Sequence, residues 1–286
     1  MTTLKRAIKE RYPKYAEKMI LRFEDATGEQ CTWDALTKPN LSRFVGKLQE
    51  EVSQNSAKQY IAMFKAVLNL YSEMHSLPGG WDKVASVKAD MSQHIYLTDD
   101  EVQALLDYKP ANRNERYVRN SFVLSCLTGA RHSDAMAFTK SNVSGGFLTY
   151  VSRKTRIESR VPVSPAVERL LDENKAYNFG KMEVTDMTYN LNIRKICRSV
   201  GINSTVKVYC GGEYSEGEKW EFVASHTARR SFATNLYLYN VDGIYPFEIR
   251  QISEMLGHSS VEMTERYIVA SRPFTDSGIS YFTRFR

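Results

Sequence analysis

Three successive segments with apolar residues at helical spacing most constrain what the first part of this chain can fold into. Apolar residues that recur every three or four positions form one stripe on a helix, and that stripe needs a partner to cover it. The stripes run through residues 12–23, 40–52 and 55–74. Asn40 or a neighbour is the expected N-cap of the second helix. The Pro-Gly-Gly run at 78–80 breaks the period, so we expect a small all-helical bundle.

Helical and strand-like segments mix beyond this break. Thr98 and Glu101 have the spacing of a capping box, and a strongly apolar helix follows that ends at Gly129. The period then changes to two over residues 147–163, which predicts short strands around a turn at 154–156. Further predicted elements are a helix from Ser164-Pro165, a helix over about 185–199, a hairpin from about 205 and helices after Ser225. The pattern predicts a mainly α fold with a small antiparallel β component.

Length and composition limit the class of protein. Because 286 residues exceed the usual size of one core, we predict a helical domain at 1–80, a linker at 81–96 and a second domain at 97–286. The net charge of +6 permits an anionic partner such as nucleic acid, although 33 acidic residues make the excess mild. The four cysteines, Cys31, Cys126, Cys197 and Cys210, lie far apart and form no CxxC pair. Their spacing therefore indicates neither a zinc site nor a disulfide framework. The N-terminal segment has no apolar region of the kind found in secretory signal peptides, so we expect the protein to be cytoplasmic.

Two arginines stand where the chain is predicted to turn. Ser225 is the expected cap of a helix whose start carries His226 and Arg229 on one face, beside free N–H groups that favour an anion. Arg131 follows the end of the apolar helix, and its planar guanidinium suits a phosphate. The alternatives are a surface helix with incidental polar groups, and a local salt bridge between Arg131 and Asp134. That carboxylate could also orient a functional Arg131.

A lysine is predicted at the tip of the first hairpin. Lys154 lies there with Arg153 and Arg156 close by. Lysines at strand turns are commonly solvated, so this residue alone indicates no function.

A tight corner between two helices is predicted near the C-terminus. Gly257 is expected to end one helix, and Ser259 with Glu262 to form the capping box of the next. His258 therefore lies in the corner, and Tyr267 follows nine residues later. A tyrosine at such a place is by default a core residue.

Taken in order, these residues resemble the tyrosine recombinase family, also called phage integrases, whose catalytic fold is shared with type IB topoisomerases. That family has a T-G-x-R arginine, a lysine on a β-hairpin, an H-x-x-R helix start, an L-G-H corner and a tyrosine nine residues beyond it. This chain has TGAR ending at Arg131, KT from Lys154, HTAR from His226 to Arg229, LGH ending at His258, and Tyr267. Each motif alone is weak, whereas the ordered set is specific. The resemblance implies a SAM-like core-binding bundle followed by an α+β catalytic domain.

The resemblance implies a site-specific DNA recombinase of the kind found on mobile elements, which cleaves and rejoins strands through a 3′-phosphotyrosine link. Arg131 and Arg229 would stabilise charge on the non-bridging phosphate oxygens. A phenol is a poor nucleophile until a base takes its proton, so His226 would serve Tyr267 as base or relay. Lys154 would protonate the leaving 5′ oxygen.

Neither a metal nor a cofactor is expected. His258 would donate to a phosphate oxygen beside the two guanidiniums, and no carboxylate cluster is present to hold a cation. The phosphotyrosine link conserves the energy of the broken bond, so ATP is not needed.

Double-stranded DNA is the implied partner, held between the two domains. The basic residues expected to meet its phosphates are Arg43, Lys47, Lys58, Lys65, Arg153 and Arg156. The tail beyond Tyr267 is expected to pack on an adjacent protomer in a tetramer on paired DNA sites; the alternative is a tail folded on its own core. The short stretch before Tyr12 leaves no room for an arm-binding domain, which favours a recombinase that needs only a core site. We expect DNA association at the nucleoid and no membrane.

Two other functions compete with recombination. A DNA-binding architectural factor could keep the fold without chemistry, although a mere binder needs no Tyr267. A topoisomerase would use the same chemistry to reseal the same strand.

Overall fold

A computed structural model of the chain describes residues 2–88, 93–179, 184–210 and 212–272. The described residues divide into two compact units. The first comprises the described residues up to 88 with those of 209–215, and the second comprises the others. The expected mainly helical chain with small antiparallel sheets is confirmed. The division into a DNA-binding domain, a linker and a catalytic domain at 1–80, 81–96 and 97–286 stays a prediction.

The first unit is built from helices. They are α1 (Leu4–Arg11), α2 (Ala16–Thr27), α3 (Lys38–Glu51), α4 (Gln54–Leu70) and α5 (Trp81–Val84). The helix predicted from Tyr12 begins at Ala16 as α2, and α1, which ends at Arg11, was not predicted. Pro13 separates the two helices because it lacks an N–H and disfavours helical geometry at Tyr12. The N-cap of α3 is Thr37 and not Asn40. Thr37 Oγ1 accepts the Asn40 N–H at 3.3 Å, while the buried Asn40 side chain donates to the Ala35 carbonyl at 2.9 Å.

The predicted apolar stripes form the core of this unit. Phe23, Phe44 and Phe64 are fully buried, with ring centroids 5.2 to 6.0 Å apart. Such aromatic contacts add to the free energy of apolar burial. Ala85 and Val87, which follow α5, are buried in the same core. The chain beyond the Pro-Gly-Gly break therefore still belongs to the first unit.

The second unit surrounds one buried helix, α7. Its helices are α6 (Asp99–Asp107), α7 (Arg113–Thr128), α8 (His132–Ala135), α9 (Pro165–Ala176), α10 (Asp186–Ser199), α11 (Ser225–Leu238), α12 (Ile249–Leu256) and α13 (Val261–Glu265). α6, α9, α10 and α11 pack around α7, so α7 is buried on most sides. The capping box of Thr98 with Glu101 is confirmed, and Gly129 and Gly257 end their helices as predicted.

Two predicted helix starts in this unit are shifted by one residue. The N–H of Ala224 donates to Thr227 Oγ1 at 3.0 Å, which makes Ala224 the N-cap of α11 and places Ser225 inside the helix. The N-cap of α13 is Ser260. Ser259 was expected there, but its hydroxyl contacts the Met263 sulfur at 3.3 Å.

Five short strands form two small sheets. The strands are β1 (Val143–Ser144), β2 (Phe147–Val151), β3 (Glu158–Pro162), β4 (Thr205–Cys210) and β5 (Glu213–Glu218). β2 pairs with β1 and β3, and β4 pairs with β5. Phe147 lies opposite Pro162 and Val151 opposite Glu158, so the turn falls at residues 152–157, as predicted.

Two further sequence expectations can be compared with the described residues. No helix among them is long and apolar enough to cross a lipid bilayer. Cys31, Cys126 and Cys197 are buried with free thiols, in keeping with their wide spacing.

Replacing Gly129 with alanine is expected to destabilise the second unit. Gly129 has φ +67°, and a Cβ there would lie 2.5 and 2.7 Å from two Phe232 ring carbons. Left-handed strain and overpacking together should lower the free energy of unfolding by about 3 kcal/mol. Gly201→Ala is the matched control, because Gly201 has φ +81° and open space around it. Urea unfolding measures both variants, and equal losses would contradict the packing explanation.

Candidate active site

Arg229 is the most buried large polar side chain of the second unit, with 1% of its surface exposed. Its guanidinium donates to the Gly129 carbonyl, to the Leu256 carbonyl at 2.8 Å and to His258 Nε2 at 2.9 Å. Gly129 and Leu256 lie at the C-terminal ends of α7 and α12, where carbonyls have no partner within the helix. The two helix ends therefore supply the acceptors that a buried cation needs.

The protonation state of His258 follows from its two partners. A guanidinium only donates, so Nε2 accepts from Arg229, and Nδ1 carries the proton that faces Thr264 Oγ1 at 2.9 Å. Burial, and then the charges of Arg229 and Arg131, lower the pKa of His258 to about 4. Both ring nitrogens are thus engaged, and donation to a phosphate would require Nε2 to leave Arg229 and gain a proton.

Arg131 is held by the hairpin. Its Nη1 donates to Ser152 Oγ at 2.8 Å, and that hydroxyl donates to the buried Asp134 carboxylate at 3.2 Å. Asp134 also accepts the Arg153 N–H at 3.1 Å. The alternative of a direct salt bridge between Arg131 and Asp134 is wrong within the described residues, because Ser152 lies between them. Asp134 instead orients Arg131 through Ser152 and fixes the base of the turn that carries Lys154.

A cleft of about 400 Å³ brings the predicted residues together. Its lining includes Arg131, Lys154, His226 and Arg229. Partial desolvation, followed by the charges of Arg230, Arg229, Arg131 and Lys154, lowers the pKa of His226. His226 is therefore neutral at neutral pH and able to accept a proton. The cations around it favour the binding of an anion, although the Asp186 side chain also lines the cleft.

Tyr267 lies beside this cluster on the segment that follows α13. The centroid of the Tyr267 ring is 5.0 Å from that of the His258 ring and 5.4 Å from the Arg229 guanidinium carbon. Thr234 holds the main chain at the tyrosine and just after it: its hydroxyl donates to the Tyr267 carbonyl at 3.3 Å and accepts the Val269 N–H at 3.1 Å. The structure thus brings all six predicted catalytic residues into one region, while their roles stay predictions.

The residues expected to contact DNA differ in their surroundings. Arg43 and Lys58 in the first unit are exposed, as are Arg153 and Arg156 beside Lys154. Two others already have partners in the first unit: Lys47 pairs with Glu51 at 3.0 Å, and Lys65 donates to the Asp82 carbonyl at 2.9 Å. Contact of any of the six with DNA stays a prediction.

Several residues of the site could not be found from sequence motifs. Ser152 links Arg131 to Asp134, Thr264 accepts the hydrogen bond of His258 Nδ1, and Asp186 and Asn190 from α10 line the cleft. Nothing in their spacing distinguishes them from ordinary polar residues. No group of three His, Cys, Asp or Glu side chains in the described part of the chain is arranged to hold a metal. The tail at 273–286, expected to pack on a second protomer, lies outside the described residues.

Comparison with known sequences places this site in a family. The profile described as the phage integrase family matches residues 96–272, more than half of the chain. A putative integrase of Pseudomonas phage Pf1 is 27% identical over 83% of this chain and 63% of its own length. The integrase of Escherichia phage 186 is 26% identical over 76% of this chain and 57% of its own length. Tyrosine recombinase XerC of Pelobacter propionicus is 22% identical over 84% of this chain and 77% of its own length. This chain belongs to the phage integrase family, and it spans less than two thirds of the length of the two phage proteins.

Solved structures show the same fold. A lambda integrase dimer bound to a COC′ core site superposes with a TM-score of 0.64 at 15% identity, over 92% of this chain and 91% of that one. The integrase of transposon Tn1549, in complex with a circular intermediate DNA, gives 0.66 at 12% identity over the whole of both chains. The expected tyrosine recombinase fold is therefore confirmed.

The free energy of unfolding should depend on pH through His258. Its pKa is about 4 in the folded chain and about 6.5 when unfolded, so below pH 6.5 the unfolded chain takes up a proton that the folded chain does not. The stability gained from the neutral ring is complete above that pH and falls by about 2 kcal/mol by pH 5. His258→Gln cannot titrate, although it can still accept from Arg229. Urea unfolding at pH 7.5, 6 and 5 should show a shallower decline for this variant; parallel declines would contradict the assignment.

Proposed function

We propose that this chain is a tyrosine-type site-specific DNA recombinase of the integrase kind, which acts without metal or ATP. The observation that carries the proposal is the convergence of Arg131, Lys154, His226 and Arg229 on one cleft, with Tyr267 beside Arg229. A binding module does not need a phenol next to an imidazole and two guanidiniums. The substrate is a DNA phosphodiester, whose charge matches this cationic cleft.

Strand cleavage uses the residues around the cleft in turn. The Tyr267 oxygen attacks phosphorus, and His226 accepts its proton, directly or through water. Negative charge that builds on the non-bridging oxygens is stabilised by Arg131 and Arg229, which the fold holds in place beforehand. The bond to the 5′ oxygen breaks, and Lys154 supplies the proton to that leaving group. The products are a 3′-phosphotyrosine link and a free 5′ hydroxyl.

Rejoining is the reverse reaction with a new hydroxyl. A 5′ hydroxyl attacks the phosphotyrosine, Tyr267 leaves and recovers its proton, and the phosphodiester is restored. No energy source is needed, because one phosphate ester is exchanged for another. Attack by a hydroxyl from a partner DNA gives recombination.

Assembly on DNA is proposed by analogy. Lambda integrase forms a dimer on a core site and a tetramer on a Holliday junction, and the fold of this chain is similar to both structures. We propose that this chain also acts as a tetramer on paired duplex sites in the cytoplasm. The chain itself supplies the residues of one active site.

Covalent capture tests the proposed activity. DNA fragments bound by the protein are first selected from a random library, and a duplex carrying the selected site is nicked next to it so that cleavage cannot be reversed. The wild-type protein should form a covalent adduct that survives denaturation, and Tyr267→Phe should form none, because it lacks the attacking oxygen. Tyr239→Phe, which changes an exposed tyrosine, is the matched control.

The outcomes separate the rival functions. If the wild-type protein binds the selected site without forming an adduct, the chain is a DNA-binding factor. If it forms adducts and relaxes supercoiled DNA but never joins strands of two duplexes, it is a topoisomerase.

Adduct formation should continue unchanged in excess EDTA. The guanidiniums of Arg131 and Arg229 take the place that a divalent cation has in other phosphoryl transfer sites. The same assay measures this, with a magnesium-dependent nuclease as a control for chelation. A loss in EDTA that magnesium restores would show that the proposed chemistry is incomplete.

A further inference from the structure

A second guanidinium lies next to Tyr267. Arg230 follows Arg229 on α11, and its guanidinium carbon is 5.9 Å from the centre of the Tyr267 ring, against 5.4 Å for Arg229. The tyrosine therefore faces cations from two consecutive residues of one helix. The T-G-x-R, H-x-x-R and L-G-H motifs do not include Arg230.

Arg230 is a cation without a compensating anion. Its Nε is buried and has no hydrogen-bond partner among the described residues. Burial lowers the pKa of Arg230, and interaction with Tyr267 raises it; no carboxylate of the described chain contributes. Burying an unpaired cation costs free energy that a structural role would avoid. Such a group is typical of a site where negative charge appears during function.

The positive charge of Arg230 also lowers the pKa of two histidines. It is the largest charge effect on the pKa of His226 and on that of His94, both of which are lowered. The groups that face the Tyr267 ring are Arg229 and Arg230 from α11 and His258 from the corner before α13. The Nη groups of Arg229 are fixed by three acceptors, whereas the buried Nε of each arginine has no hydrogen-bond partner among the described residues.

We propose that Arg230 is a positioning residue for Tyr267: it holds the aromatic ring and stabilises negative charge on the phenol oxygen during strand cleavage. The inference rests on the function proposed above. A guanidinium over an aromatic ring is attracted by its π electrons, and the attraction grows when the oxygen becomes anionic. Arg230 neither gains nor loses a proton. The proton of Tyr267 still passes to His226, and the new bond still forms between the tyrosine oxygen and phosphorus.

Single-turnover cleavage of the nicked duplex, at saturating DNA and from pH 6 to 9, tests this role. Arg230→Gln should reduce the rate roughly tenfold at pH 7, because one fixed charge near the reacting oxygen is lost. The deficit should shrink as the pH rises, since hydroxide then helps to ionise the phenol. Arg230→Lys should keep most of the rate and the wild-type pH midpoint. Arg250→Gln removes an equal charge from the exposed face of α12 and should behave as wild type.

The dissociation constant for the uncut site distinguishes this role from a contact with DNA. It should be unchanged in the Arg230 variants. A weaker affinity with a normal single-turnover rate would overturn the proposal and make Arg230 a phosphate contact. A pH-independent rate loss, or no loss, would also overturn it.

Loss of stability in a variant and absence of the covalent adduct each have a defined meaning for the proposal. If Arg230→Gln lowers the melting temperature, the pH midpoint of Arg230→Lys decides, and a midpoint displaced from wild type contradicts the proposal. If the wild-type protein forms no adduct on a site that it binds, the proposed function fails, and the role of Arg230 fails with it.

Discussion

The buried guanidinium of Arg229 is the interaction on which the candidate site depends. It joins the end of α7, the end of α12 and the corner at His258, three places that the sequence separates widely. A cation removed from water needs acceptors, and here they are carbonyls left unpaired where two helices stop. The left-handed glycine at each helix end, Gly129 or Gly257, allows the chain to turn there. The packing of the second unit and the charge at its site are thus set by the same contacts.

Arg131 is less buried than Arg229 and is held through a neutral hydroxyl. Ser152 separates Arg131 from Asp134, which keeps the guanidinium from being neutralised by a direct ion pair. His258 stays uncharged beside Arg229, so it adds a hydrogen-bond acceptor without adding repulsion. Mutual repulsion among Arg131, Arg229 and Lys154 is a cost in the empty cleft. In the proposed reaction the same charges would stabilise a bound phosphate, because the fold holds them in place before the phosphate binds.

The sequence predicted most helices from local apolar spacing, and it predicted the six candidate residues from the resemblance of their ordered motifs to the tyrosine recombinase family. The spacing of apolar residues predicted α3, α4, α7 and α10, and glycines predicted where α7 and α12 end. Helix starts were less predictable: Thr37, Ala224 and Ser260 act as caps where neighbouring residues were chosen, since several polar residues compete at each start. Ser152 and Arg230 could not be predicted at all. Their positions depend on how the hairpin and α11 pack on distant elements, and neither belongs to a recognisable motif.

The two hydrogen bonds of Thr234 have a consequence for the reach of the tyrosine. One hydroxyl on α11 holds the main chain at Tyr267 and at Val269, so the peptide around the proposed nucleophile is anchored to the core. The ring is held by side-chain contacts with His258, Arg229 and Arg230 and by packing on the apolar cluster that includes Phe232. Its oxygen can therefore travel by rotation about the side-chain bonds, which is fast compared with local unfolding. Advance and retreat of the phenol then require no melting of α13.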